Sequence, residues 1–441
     1  MIGNRMRILF LFFFASLCGQ QDTTPIVVNL ATAHKLISVD LVPLSDPSLN
    51  EILTYDLAHN GMNTIVPHTL ERQELTKKWQ EGNSQALTHL RNGGVEYLII
   101  PTLSENKLSA QVIHLPTRKV QQIAPIDASK NRQSVHQLAD AIHKALFGAP
   151  GIATTHFLYT VRNYNAQTNK WISEVWEADW DGHNARQITH TDNYCVTPSY
   201  IPPKKGHAAG SFFFVSYAIG QPKIIIASLS DGQGQRFSYI HGNQLLPTMS
   251  HQRDQVAFIC DVTGNPDLFL QGFDPAKGPV GKPRQIFSSH QATQGTPTFS
   301  PDGKRIAFVS NKDGNPRIYV IPIPPPGTPL KNIKAELITK RNRESTAPCW
   351  SPDGKKLAYC SKSDGIRQIW IYDFEKGEEL QLTHGPGTKE NPTWAANSLH
   401  LLYNTTDPGA CEIYQLNLNQ PNVIQLSRGP GEKHFPAAEP R

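Results

Sequence analysis

Seventeen histidines and six cysteines are the side chains of this 441-residue chain best suited to metal binding or nucleophilic attack. Their spacing argues against both. No two histidines frame a glutamate as His-Glu-x-x-His, and no histidine stands at zinc-ligand spacing from a cysteine. His156, His183, His190, His241, His251, His384 and His434 mostly sit beside turn residues, where solvated or capping roles are the default. Asp179-Trp-Asp-Gly-His-Asn184 opens like an acidic calcium loop but lacks the later carboxylate, so it reads as a turn between strands. No Gly-x-Ser-x-Gly elbow, phosphate loop or dinucleotide fingerprint occurs. The expectation is therefore no catalytic residue, no metal and no cofactor. Apart from Cys18, the cysteines are Cys195, Cys260, Cys349, Cys360 and Cys411. Cys349 and Cys360 fall on adjoining strands of one repeat, so a disulfide fits an oxidising compartment; isolated buried thiols are the plainer reading.

The element that must position any site is a repeated prolyl step. Pro198, Pro247, Pro297, Pro348, Pro392 and Pro436 recur at spacings of 49, 50, 51, 44 and 44 residues. Around them Thr296-Pro-Thr-Phe-Ser-Pro-Asp-Gly-Lys-Arg-Ile-Ala-Phe308 parallels Ala347-Pro-Cys-Trp-Ser-Pro-Asp-Gly-Lys-Lys-Leu-Ala-Tyr359. Strand-and-turn repeats of this length predict a β-propeller with one four-stranded blade per repeat. Each marker is read as preceding strand a. In the fourth repeat the expected strands are Thr298 to Ser300, Lys304 to Ser310, Arg317 to Ile323 and Ala335 to Thr339. The Ser-Pro-Asp-Gly turn is chemically suited to a hairpin, because glycine takes the positive φ that closes it. Two residues after the markers stand Tyr200, Met249, Phe299, Trp350, Trp394 and Ala438, and the five large ones suit blade stacking. The first repeat opens at Phe157 without its own strand a, whereas Phe435-Pro-Ala-Ala is a lone strand a with nothing after it. The C-terminus is thus expected to complete the first blade and close a ring of six.

Residues 22–150 alternate strands with amphipathic helices and predict a small α/β domain ahead of the all-β propeller at 152–441. Residues 1–19 read as a signal peptide with cleavage near 18–21: Arg5 and Arg7 precede the apolar stretch Ile8 to Leu17, which is too short to span a bilayer. An exported, soluble protein follows. A net charge of +5 with scattered lysines and arginines does not suggest nucleic acid. In a propeller the d–a and b–c loops converge on one face. Here the residues before the marker prolines are Asn193, Asn243, Gln244, Leu246, Gln294, Gly295, Thr296, Glu344, Ser345, Thr346, Glu390, Asn391 and His434. Amides, hydroxyls and carboxylates with an apolar leucine suit a hydrogen-bonding interface, although each taken singly is an ordinary loop former.

The signal segment, the α/β domain, the six repeats and the closing Phe-Pro-Ala strand together make the chain resemble the TolB family of the Tol–Pal system. Only the fourth and fifth repeats keep Ser-Pro-Asp-Gly; the third has Ser250-His-Gln-Arg-Asp and the sixth Ala395-Ala-Asn-Ser. The resemblance implies a periplasmic, monomeric scaffold, with membranes reached only through partners. It bridges a Pal-like, OmpA-family peptidoglycan-associated lipoprotein and the inner-membrane-anchored TolA, supporting outer-membrane integrity and envelope constriction at division. It puts Pal on the pre-proline face, with Asn243, Leu246 and Gly295 at family contact positions. It puts TolA on the mature N-terminal segment, Asp22, Thr23, Thr24, Pro25, Ile26, Val27 and Val28 onward to Ala33. From the residues alone, Ile26 to Leu30 reads as the first strand of the α/β domain or as a peptide that adds to a partner's sheet edge. The alternative function is a hydrolase or lactonase with a metal in the central channel. That would need inward carboxylates or histidines at equivalent positions, where Ser199, Thr248, Thr298, Cys349 and Thr393 stand instead.

Overall fold

The structure is a computed structural model that describes residues 27–28, 32, 35–204, 206–407 and 409–441. The signal segment 1–19 and Asp22, Thr23, Thr24, Pro25 and Ile26 lie outside the described residues.

After a short strand β1 (Val27–Val28), the chain forms β2 (Ile37–Leu41), α1 (Pro47–Ala58), β3 (Asn63–Val66), α2 (Leu70–Gln80), α3 (Gln85–Asn92), β4 (Tyr97–Ser104), β5 (Lys107–His114), β6 (Lys119–Asp127) and α4 (Arg132–Phe147). The sheet order is β3-β2-β4-β5-β6, with β2 parallel to both β3 and β4 and the β4–β5–β6 meander antiparallel. Asp46 caps α1 by accepting from the Ser48 and Leu49 amides, and Pro47 presets the first helical turn. Leu49, Leu53 and Leu57 of α1 pack with Val135, Leu138 and Ile142 of α4 on one face of the sheet. Leu87 and Leu90 of α3 pack with Leu98 and Ile100 on the other. The alternation of Leu98, Ile99 and Ile100 between these two clusters is the period-two pleat of a doubly covered strand.

Strand β1 does not join this sheet. It pairs antiparallel with Thr383–His384 at the outer side of blade 5, Val27 opposite His384 and Val28 opposite Thr383. Val28 is buried in the cluster shared by blades 5 and 6. The expected first strand of the α/β domain therefore does not form at Val27–Val28; the pair adds to an edge of this chain's own propeller instead.

Six four-stranded antiparallel sheets follow. Blade 1 is assembled from both ends of the propeller: Glu432–Ala438 is its strand a, His156–Asn165 its b, Lys170–Asp179 its c and Arg186–Gln187 its d. The ring is closed as the repeat pattern requires. Strand a differs from expectation, because it begins before the marker rather than after it. In blade 4 it is Gln294–Phe299, with b at Arg305–Ser310, c at Arg317–Pro322 and d at Glu336–Leu337. The proline sits inside the strand at a β-bulge. Thr296 and Pro297 stand between the register pairs Gly295–Val309 and Thr298–Ala307, so two residues oppose one. Proline is tolerated there because it has no N–H for the ladder to leave unpaired.

The intact turns place Gly303 (φ 69°) and Gly354 (φ 74°) in the left-handed region. In the degraded repeats Arg253 (φ 64°) and Ser398 (φ 57°) take that conformation without being glycine. The sulfurs of Cys349 and Cys360 are unbonded; Cys349 lies opposite Ala358 and Cys360 opposite Thr346.

The α/β region is locked to the propeller by polar contacts. The expected Asp179–Asn184 turn forms, and its Asp181 accepts from Arg132 Nη2 at 2.6 Å. His136 Nδ1 meets Asp56 Oδ2 at 2.7 Å, while its Nε2 lies 3.6 Å from Asp181. Nearby, Asn419 Nδ2 donates to the Gly61 carbonyl at 2.7 Å, and a ring nitrogen of His400 meets the His59 carbonyl at 2.8 Å. Burial pushes His400 down to about 4, so it stays neutral there. Burial pushes Asp56 up to about 6; burial lowers His136, but the Asp56 hydrogen bond and charge bring it above its ordinary value.

Two predictions follow from these contacts. His136→Ala takes from buried Asp56 the imidazole that pairs with it, while Asp181 keeps Arg132, and should cost about 3 kcal/mol in thermal or urea unfolding. Both raised values mean that the folded state holds more protons than the unfolded one. The contribution of Asp56 falls as pH rises towards 6. That of His136 is full below about 6.5 and is lost as pH rises through its folded value. Wild-type stability should thus decline as pH rises, first towards 6 and then from about 6.5 through the folded value of His136, and His136→Ala should remove the second part of that slope. Separately, Arg253→Gly relieves a left-handed side chain and should raise stability by about 0.5–1 kcal/mol. Ser398→Gly should bring no such gain, because Ser398 Oγ accepts from the Asp353 amide at 3.0 Å; equal gains in both variants would contradict this account.

Candidate partner interface

The bulge recurs in all six blades and builds one face of the propeller. Thr197, Leu246, Thr296, Ala347, Asn391 and Phe435, each one residue before a marker proline, all have positive φ between 39° and 55°. In every blade the strand register shifts across that step. The six residues and the six prolines line the mouth of an axial funnel of about 220 Å³. Below them Ser199, Thr248, Thr298, Cys349, Thr393 and Ala437 form the channel wall, so the inward groups are hydroxyls, a thiol and a methyl.

Position along the bulged strand decides which expected interface residues reach solvent. Three residues before each marker stand Cys195, Gln244, Gln294, Ser345, Lys389 and Lys433, and all are buried. Gln244 donates inward to the Ile240 and Ser238 carbonyls at 2.9 and 3.2 Å, and Ser345 Oγ shares a 2.9 Å hydrogen bond with Ser361 Oγ. Gln244, Gln294 and Ser345 are therefore interior residues and not part of the face. They begin a strand packed inside its blade instead of lying in a loop. Leu246, Gly295, Thr296, Thr346, Glu390, Asn391 and His434, one or two residues before the markers, are half-buried, and of these Leu246, Thr296 and Asn391 line the mouth.

The more distal candidates are held by their own neighbours. Asn243 donates from its amide N and Nδ2 to the two carboxylate oxygens of Asp261, both at 2.7 Å. Asn193 Nδ2 donates to the Thr191 carbonyl at 3.0 Å. Asn391 Nδ2 donates to Asn404 Oδ1 at 2.9 Å. Gly295 has no positive φ, and a Cβ there would meet only Val309 at 3.8 Å, so the position accepts a side chain. Glu344 and Glu390, in neighbouring blades, share one guanidinium: Arg367 Nη2 donates to Glu344 at 2.9 Å and Nη1 to Glu390. The Arg367 hydrogen bond holds the Glu344 carboxyl below its ordinary value. Arg367, Thr197, Ala347 and Phe435 were missed by the sequence reading. The three ring members could have been found by asking what stands immediately before every marker.

The family described as "TolB beta propeller domain" matches residues 143–440. A protein from Protochlamydia amoebophila titled "Protein TolB homolog" is 52% identical over 385 residues, covering 84% of this chain and 82% of that protein. The chain belongs to the TolB family. A TolB homolog of Chlamydia felis is 42% identical over 265 residues, which cover 60% of each chain. The crystal structure of TolB from Acinetobacter baumannii superposes with a TM-score of 0.75 over 95% of this chain and all of that one. At 20% identity it supports the fold alone. Kinship with these TolB proteins identifies the chain as a non-enzymatic propeller of the Tol–Pal type.

The shared guanidinium yields a prediction at this face. Because the folded value of Glu344 is depressed, its contribution to stability is present above its unfolded value and is lost as pH falls through the folded one. Arg367→Ala should move Glu344 back up towards the ordinary carboxylate range, read by carboxyl-carbon NMR titration. Its stability cost should be small, about 1 kcal/mol for a partly exposed pair network, and diminished by salt.

Proposed function

We propose that this protein is the periplasmic bridge of a Tol–Pal envelope complex. Its ringed face binds a Pal-like, OmpA-family lipoprotein, and its N-terminal segment from Asp22 binds TolA. Family membership supports the general role. The observation that supports the site is the six-fold bulge: Leu246, Thr296 and Asn391 line one axial mouth, and Gly295, Thr346, Glu390 and His434 precede them, half-buried, on the same strands. An apolar residue, an amide, two hydroxyls, an imidazole and a neutralised carboxylate on one face suit a polar, partly wet interface. Among the described residues no helix is long and apolar enough to cross a membrane. Export with a cleaved signal segment, and membrane association through partners alone, complete the proposal.

For the second partner, the support is the position of β1. It forms a ladder of only two register pairs at the side of blade 5. A segment held by so little pairing can exchange one sheet edge for another at modest cost.

Crosslinking in the native envelope, followed by partner identification, tests both attachments without presuming either. With purified components, Gly295→Trp and Leu246→Asp should each weaken capture of the lipoprotein at least tenfold while unfolding stays near wild type. Undiminished capture by both would move the partner off this face. Deleting residues 22–33 should abolish TolA capture and leave lipoprotein capture intact, and retained TolA binding would exclude the segment.

A further inference from the structure

Ring closure brings three metal-ligand side chains together that the sequence keeps apart. Glu432 and His434 stand two residues apart on strand a of blade 1, so both project from the same side of the pleat. Cys411 comes from the b–c loop of blade 6, between the strands His400–Thr405 and Ile413–Asn417. That loop is tied to the closing strand by the Lys433 amide, which donates to the Cys411 carbonyl at 2.9 Å. One ligand atom each from Cys411, Glu432 and His434 lie within 4.8 Å of one another.

The surroundings suit coordination. His434 Nε2 lies 3.4 Å from Glu432 Oε2, so imidazole and carboxylate already face one another. Arg162 Nε donates to Glu432 Oε2 at 2.7 Å, and Nη2 donates to the same oxygen. This orients the carboxylate and leaves Oε1 without a hydrogen bond among the described residues. Hydrogen bonding of a ligating carboxylate from behind is how outer-shell residues fix a ligand. Burial, with the Glu432 charge, pushes the Cys411 thiol up to about 11, and its Sγ donates to the Asp407 carbonyl at 3.3 Å. Without a cation this thiol is inert; a cation would displace its proton. The other clustered set, Asp56, His136 and Asp181, has no thiol and already pairs with Arg132.

We propose that Cys411, Glu432 and His434 form a three-ligand site for a borderline-soft divalent cation of the Zn²⁺ class, on the propeller face that carries the bulge ring. Binding converts the Cys411 S–H into a metal thiolate and releases one proton to solvent. Metal–sulfur and metal–nitrogen bonds of about 2.3 and 2.0 Å put tetrahedral ligand atoms about 3.5 Å apart. Rotation of the half-buried Glu432 and His434 side chains supplies that closure. The fourth position takes water or a donor from a docked partner. Because Cys411 belongs to blade 6 and the other two ligands to blade 1, an ion here would fasten the ring at its closing seam.

The test is Co²⁺ titration of reduced, tag-free protein, followed by Zn²⁺ competition. One equivalent of Co²⁺ should produce the near-ultraviolet thiolate-to-metal charge-transfer band, release about one proton per ion near neutral pH, and raise the unfolding temperature. Zn²⁺ should bleach the band. Cys411→Ser should abolish it, His434→Gln should weaken binding at least tenfold, and Cys260→Ser should leave it intact. Absence of the band in wild-type protein, or its survival in Cys411→Ser, overturns the site. Should Cys411→Ser fail to fold, His434→Gln decides: unchanged Co²⁺ affinity in that variant overturns it equally.

Discussion

The pairing of Glu432–Ala438 with His156–Asn165 is the contact on which the rest of the propeller depends. It joins residues almost three hundred positions apart, so its entropic cost is met only when the intervening blades are already in place. Without it His156–Asn165 would be an open edge, and every blade-to-blade packing surface would have a free end. The strand is fastened along its whole length. At its end Glu439 accepts from the His156 and Ala209 amides at 3.0 and 3.1 Å, and Lys433 Nζ reaches Glu412 at 2.9 Å. The last residue extends the clasp to the α/β region, where Arg441 Nη2 donates to Asp140 of α4 at 3.1 Å. One strand therefore ties blade 6, blade 1 and the N-terminal region together.

Closure also explains why strain is tolerated at the mouth. A left-handed non-glycine residue costs about 1–2 kcal/mol, and a residue before proline is further disfavoured outside the extended region. β-Branched Thr197 and Thr296 are the least comfortable of the six. Such conformations persist only where surrounding structure over-determines them. Here each bulge is flanked by ladder pairs on both sides and by a large buried residue just beyond, Tyr200, Met249, Phe299, Trp350 or Trp394 in blades 2 to 6. The strain is thus the local consequence of turning six strands towards one axis.

Much of this architecture was legible because the signals are periodic. The six prolines, the Ser-Pro-Asp-Gly turns and the lone Phe435-Pro strand repeat often enough for a wrong single reading to be outvoted. What failed was phase. Proline normally ends or borders a strand, so the markers were read as lying ahead of strand a; a bulge placed them inside it. A strand that starts four residues earlier, at Gln294 where Thr298 was expected, turned Gln244, Gln294 and Ser345 from loop into core. β1 was ambiguous for another reason: Ile26-Val-Val-Asn-Leu satisfies any sheet edge, and only tertiary position separates the α/β sheet from blade 5. Arg367, and the meeting of Cys411 with Glu432 and His434, were invisible because they join neighbouring blades, a distance that sequence spacing does not encode.

The bulge ring and β1 differ in how firmly each is built. The bulge ring is anchored by six ladders and cannot open without opening the propeller, so it offers a preorganised surface whose ordering cost is met on folding. β1 rests on two register pairs and the burial of Val28, worth about 1.5–3 kcal/mol as apolar surface. That is small beside what holds any blade. The edge it covers, Thr383–His384, lies in blade 5, the blade whose Arg367 joins Glu344 to Glu390 beside the bulge ring. Thr383 Oγ1 donates to Gln368 Oε1 at 2.8 Å and accepts from the Ile369 amide at 2.9 Å, next to Arg367 on strand c. The ringed face and the lightly paired strand thus meet in one blade, through Arg367, Gln368 and Ile369 on a single strand.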